Sequence, residues 1–315
     1  MDLIKMKSDF EKSVVEQAYP VYESTKVKFF GVDGFDVYNC SIPFSWNGCE
    51  FIFGRVEKRK DWARSWVRLF ENTGKDCWSL VPDTMIYPLE DPYIAIIGNE
   101  LTFGGTHVRM SSGKVETYCC YFYRGTDIHD MTYFTSGPVR MKDVRLVDLG
   151  NKIGVFSRPR GEYIRKEYGS EAIIGYTEIS TLDELDSHII KGAPAVSGLF
   201  GRDQWGGCNQ AYLLEDGMIG VIGHVSFVDS GLDVYMNMSF VMDRKTRQAV
   251  DLKIIGTRKC YPDGPPKKPY LKDCAFTGGI VMREDGKVDL YSGLGDVEAG
   301  RIVVDYPFKE HGKIV

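Results

Sequence analysis

The chain has 315 residues, 43% of them hydrophobic, a net charge of −5 and a pI near 5.7. That supplies a sizeable core, and an acidic balance with no basic domain or tail argues against nucleic acid as a partner. No apolar run approaches the ~20 residues that span a bilayer and no signal-like stretch leads the chain, so no membrane partner and a cytoplasmic location are expected.

Residues 1–35 read as a lead-in helix. Ser8-Asp9-Phe10-Glu11 has capping-box spacing, and Phe10, Val14, Val15 and Ala18 share one face. From residue 36 to 315 one pattern recurs five times: a polar residue, an apolar strand, a glycine turn, a second apolar strand and a closing polar residue. The strand pairs are 38–44 with 51–55, 89–97 with 101–107, 142–147 with 153–158, 209–214 with 218–224, and 276–281 with 288–293. Their turn glycines, Gly48, Gly98, Gly150, Gly217 and Gly286, are 50, 52, 67 and 69 residues apart, the period of a four-stranded propeller blade. Asn-Gly and Asp-Gly turns supply the positive φ that tight hairpins need. Strand-like segments at 115–123, 172–179, 234–242 and 300–306 complete the blades.

Two insertions interrupt the repeat. Thr181-Leu182-Asp183-Glu184 opens a surface helix of about three turns ending at Gly192, and the proline-rich stretch 261–269 is a loop. The expected fold is all-β: a single five-bladed β-propeller catalytic domain, 36–315, with a short N-terminal helix and one inserted surface helix. Eight cysteines show neither a Cys-x-x-Cys pair nor a histidine at zinc spacing. Buried, reduced thiols are expected, and no metal site.

The inner strands of a propeller line a central channel. Asn39, Asp91, Asp143, Asn209 and Thr277 precede their turn glycines by nine, seven, seven, eight and nine residues, so they emerge at one end. Arg55, His107, Arg158 and His224 end the return strands and border that same end. Carboxylates, amides and cations at a channel mouth suit a sugar and an anion. Asp91, on Glu90-Asp91-Pro92, is the candidate acid, with Glu90 pointing away from the channel.

These motifs resemble the β-mannoside phosphorylases of glycoside hydrolase family 130 and, more closely, the related mannosyltransferase/phosphorylase family (glycosyltransferase family 108, formerly domain of unknown function 1861). The resemblance is carried by Glu90-Asp91-Pro92, Arg55-Val56-Glu57, Lys142-Asp143, Ser157-Arg158-Pro159, Asp216-Gly217 through Gly223-His224, and Tyr291 through Asp296. It implies inverting phosphorolysis or synthesis of β-mannosides, here β-1,2-mannooligosaccharides, with mannose 1-phosphate as product or donor. Asp91 would be the general acid with a raised pKa. Lys142, Arg158 and His224 would bind phosphate, and Asn39, Arg55, Asp143, Asn209 and Asp296 the sugar. Inorganic phosphate is then the co-substrate, with no cofactor; homo-oligomerisation is left open.

Two positions depart from the family pattern. Tyr93 stands where arginine is common, and the stretch 205–209 lacks a lysine, for which Arg160, Arg202 or Lys267 could substitute. An inverting hydrolase, which needs Asp143 or Asp296 about 6.5–9.5 Å from Asp91, and a non-catalytic sugar binder using Trp62, Trp66 or Trp205 are the alternatives.

Overall fold

The computed structural model describes all residues, 1–315. Helix α1, Leu3–Val15, begins earlier than the capping box: the Asp2 side chain accepts from the Lys5 amide, and Ser8 lies inside the helix. Leu3 and Phe10 insert into the largest core cluster, so the helix is anchored rather than loosely docked. Strand β1, Glu23–Phe30, follows within the stretch expected to hold only a helix.

The first hairpin region comprises β2 (Asp36–Tyr38), β3 (Phe44–Trp46), β4 (Cys49–Glu57), β5 (Trp66–Gly74) and β6 (Cys77–Leu80). β2 and β3 pair with the two halves of β4, and the chain between them breaks the ladder at Asn39. A four-stranded sheet follows: β7 (Glu90–Ile97), β8 (Glu100–Ser111), β9 (Lys114–Gly125) and β10 (Thr132–Ser136). Next come β11 (Arg145–Asp148), β12 (Ile153–Ser157) and, after helix α2 (Glu162–Tyr168), β13 (Gly175–Ile179). The inserted helix is split. A 3-10 turn, Leu182–Glu184, stops at an extended Leu185, and Asp186 caps the short α3 (Ser187–Gly192). A second four-stranded sheet holds β14 (Trp205–Leu213), β15 (Ile219–Asp229), β16 (Leu232–Met242) and β17 (Ala249–Gly256); β18 (Ala275–Met282), β19 (Lys287–Leu294) and β20 (Glu298–Asp305) end the order.

The molecule is mostly β, in curled sheets. Gly48, Gly98, Gly150, Gly217 and Gly286 all have positive φ and join the first two strands of their hairpins. Neighbouring hairpins pack side by side: β4 on β7, β7 on β11, β11 on β14, β14 on β18, and β2 returns on β19 and β20. The series closes on itself. Hydrogen bonding also closes it, because β1 runs antiparallel to β20 through Glu23–Val27 and parallel to β6 through Lys28–Phe30, giving one nine-stranded sheet.

Faces between neighbouring sheets are filled with large side chains. Phe44, Phe53, Tyr87 and Phe103 interlock between the first two sheets, with Phe53 and Phe103 stacked at 4.4 Å. Each fully buried ring of this kind is worth roughly 1.5–3 kcal/mol. All eight cysteines are free; Cys120 is buried and its neighbour Cys119 only partly, as alternation along β9 requires. No helix is long and apolar enough to cross a membrane.

Candidate active site

The inner strands are interrupted where their polar residues stand. In β7, Asp91 and Pro92 oppose the single residue Gly105; in β14 the extra residue is Asn209, and in β18 it is Gly278. Such bulges bend the strand and re-aim a side chain. Asn39, Asp91, Asp143 and Asp296 all hold φ between +46° and +58°, a left-handed conformation that Asn and Asp tolerate better than other side-chain-bearing residues. The backbone is strained in order to point these groups inward.

A cavity of about 360 Å³ opens at this end. Asn39, Arg55, Glu90, Asp91, Lys142, Arg158, Arg160, His224 and Asp296 all line it. Most of the residues expected at the channel mouth meet here, and Glu90, expected to point away, faces the cavity because Arg55 draws it in: Arg55 Nη2 donates to Glu90 Oε1 at 2.9 Å and Nη1 to Asp91 Oδ1 at 3.0 Å. Ser65 accepts from Arg55 Nε, and the Tyr38 ring supports the guanidinium at 4.7 Å. Asn39 Nδ2 donates to Asp91 Oδ1 at 2.9 Å and reaches Asp296 Oδ1 at 3.4 Å.

Three residues expected in the polar ring stand behind the cavity wall. Asp143 is fully buried and takes Arg158 Nη1 at 2.6 Å, with Arg145 Nη2 at 3.6 Å. Asn209 Oδ1 meets His224 Nδ1 at 2.7 Å. Thr277 donates to the Gly223 carbonyl and accepts from Asn237. His107 also lies outside the cavity, stacked on Tyr121. Of the three substitute cations, Arg160 lines the cavity. Lys267 is sequestered against Glu57 and Tyr38, and Arg202 is elsewhere.

The electrostatics divide the cavity in two. On one side, Arg158 spends Nε on the Gly206 carbonyl at 2.6 Å and Nη1 on Asp143, leaving Nη2 unbonded. Lys142 Nζ has only Asp91 Oδ2, at 3.8 Å, too far for a hydrogen bond. His224 Nε2 is buried without a partner. Gly207 makes room here: a Cβ on it would meet His224 Cε1 at 3.0 Å and Arg158 Cδ at 3.1 Å. Burial, reinforced by Arg158, pushes the His224 pKa well below its usual value, so the ring is neutral. Since the Asn209 amide oxygen can only accept, the ring proton sits on Nδ1 and Nε2 presents a lone pair.

On the other side stand the acids. Burial would raise the Asp91 pKa, but Arg55 and then Lys142 outweigh it and hold the carboxyl below the usual carboxylate range. The raised pKa expected for Asp91 is therefore not found. Burial does push up Glu90, against Arg55, and Asp296, against Arg55 and with the charge of Asp91 adding. Burial of Lys142 is outweighed by the Asp143 and Asp91 carboxylates, which keep its ammonium charged.

Apolar groups that the sequence did not single out close the walls: Val108, Val115 and Tyr118 from β8 and β9, and Tyr235, Tyr270 and Phe276 opposite. Trp62 lines the cavity, whereas Trp66 lines an adjoining hollow that shares Ala63, Glu90, Thr106 and Val108. Trp205 lines neither and donates to the Tyr235 hydroxyl.

Comparison with solved structures finds two closely similar chains from Leishmania mexicana. One is a mannose phosphorylase in complex with phosphate ion: 50% identity over 99% of this chain and 96% of that one, TM-score 0.91. The other is a GDP-Man-dependent mannosyltransferase: 45% identity over 100% and 98%, TM-score 0.90. A glycosyl hydrolase from Bacteroides ovatus, 14% identical over 89% and 87% with a TM-score of 0.60, shares the fold alone. Comparison with curated proteins finds no match. The family model described as a protein of unknown function, DUF1861, matches residues 13–310, and the chain belongs to that family.

Proposed function

We propose that this protein is a mannoside phosphorylase, transferring mannose between a β-mannooligosaccharide and inorganic phosphate, with mannose 1-phosphate as the other partner in the reaction. The observation that carries this reading is the set of unspent groups that line one cavity with Asp91: Lys142 Nζ, Arg158 Nη2, Arg160 and His224 Nε2. A tetrahedral oxyanion there would gain several charge-assisted hydrogen bonds in a site partly shielded from water. The similarity to a mannose phosphorylase solved with phosphate supports the same reading.

Asp91 is the proposed proton donor to the glycosidic oxygen, with Asn39, Arg55 and Asp296 holding the sugar. Asp143 and Asn209 position Arg158 and His224 rather than touch substrate. The hollow beyond Glu90, with Trp66 at its edge, gives a longer sugar chain room to continue. A water-activating second carboxylate is disfavoured: Asp143 is walled off. Asp91 and Asp296 share the Asn39 amide, which donates to one oxygen of each and leaves little room between those oxygens for an attacking water.

The fold that carries this site is a five-bladed propeller: the nine-stranded sheet divides at the β1–β6 pair into a first and a last blade. Reduced thiols suit a cytoplasmic location. A GDP-mannose-dependent transferase is the second reading, favoured by the 45% relative. Incubation with β-1,2-mannooligosaccharides, with and without phosphate, tests the first: phosphate-dependent mannose 1-phosphate is expected. Chain extension from GDP-mannose but not from mannose 1-phosphate would replace it with the second.

A further inference from the structure

Asp91 poses a problem that its surroundings resolve. An acid catalyst must arrive protonated, yet this carboxylate lies between two cations. Every charged or titratable group facing it can be named. Arg55 on β4 bonds Oδ1, and Glu90 shares the other arm of that guanidinium. Asn39 donates from the β2–β3 break, and Asp296 lies beyond the same amide. Lys142 and Asp143 come from the segment ahead of β11. Arg55 has all three nitrogens engaged, by Ser65, Asp91 and Glu90, and stays where it is. Lys142 is not so held: its ammonium stands 3.8 Å from Asp91 Oδ2 without a hydrogen bond, and it lines the same cavity as Arg158 and His224, which have a free nitrogen each.

We infer that phosphate binding itself makes Asp91 an acid, because Lys142 is shared between Asp91 and the anion. This rests on the phosphate site proposed above. A bound oxyanion takes the Lys142 charge as its own partner and adds negative charge near Asp91. Both changes favour the protonated carboxyl. Asp91 then takes one proton from solvent. In phosphorolysis that proton passes to the glycosidic oxygen as a phosphate oxygen bonds to the anomeric carbon and the carbon–oxygen bond of the leaving sugar breaks, which returns Asp91 to the carboxylate. Without phosphate, Asp91 stays ionised and cannot assist attack by water. The same lysine would thus guard the enzyme against hydrolysing its substrate.

The test is calorimetric titration of the whole protein with inorganic phosphate in buffers of different ionisation enthalpy, in parallel with Asp91→Asn. Protons gained or lost by phosphate itself are common to both proteins and cancel in the difference. The wild type is expected to take up close to one proton more per site than the variant. Its phosphate affinity should fall by up to about tenfold per pH unit more steeply than that of the variant, as linkage demands. A protonated-carboxyl stretch in the infrared difference spectrum, absent from Asp91→Asn, is the second readout and requires no turnover. Phosphate binding with equal proton uptake in the two proteins would overturn the inference and leave the phosphorylase reading intact. No phosphate binding at all would overturn both.

Discussion

At the scale of single residues, Asp91→Asn is the sharpest substitution, because it keeps shape and hydrogen-bonding capacity while removing the proton. We expect turnover in both directions to fall by about 10²–10⁴-fold or more, with folding and sugar binding largely kept. Near-normal turnover in steady-state assays would remove Asp91 from the chemistry. His224 makes a different prediction. A neutral ring that presents a lone pair accepts from a protonated phosphate oxygen but meets only another lone pair on sulfate. Phosphate should therefore outcompete sulfate, by roughly 1–3 kcal/mol for the unsatisfied contact, and equal inhibition constants would mean that the ring proton is on Nε2. Gly207 is a third lever. Gly207→Ala presses its new methyl against His224 and Arg158 together, so the expected result is a raised KM for phosphate with little change in the melting temperature.

At the scale of elements, the hairpins were legible and their closure was not. Asn47-Gly48 and Asp285-Gly286 announce their turns because the positive φ is paid within two residues, and nothing distant can alter that demand. β1 has no such local signature. Its partners are β20, some 270 residues away, and β6, and a polar strand of the type Glu-Ser-Thr-Lys becomes intelligible only beside Arg301. Arg301 on β20 binds Asp76 through two nitrogens, Glu23 on β1 and Asp289 on β19. The site divides the same way. Spacing brought Asp91, Arg158 and His224 to one end, but a period of two gives direction and not depth, so it could not tell that Asp143 and Asn209 stop behind the wall. Arg301→Ala would leave three carboxylates facing one another, and a loss of about 3–5 kcal/mol in urea unfolding is expected. A loss under 1 kcal/mol would show that the strands close without this cluster.

For the molecule as a whole, acid should act through its buried pairs. Asp143 beside Arg158 and Asp76 beside Arg301 have folded pKa values below their unfolded ones. Their contribution is present above the unfolded carboxylate pKa of ~4 and is lost as pH falls through the folded values, so urea midpoints should hold near neutrality and drop steeply in acid. Asp296, raised by burial, acts in the opposite sense and weakens the fold at neutral pH. Asp296→Asn should raise the melting temperature while lowering activity, a trade that marks a functional group. The closure by β1 has a last consequence, and it concerns the ribosome. β1 must wait for β20, made some 270 residues after it, on the order of tens of seconds at ordinary synthesis rates. Until then its edge is open to any other chain, and a product that stops short of β20 never covers it. Premature termination before β20 is complete should therefore give aggregate rather than a slightly shortened enzyme.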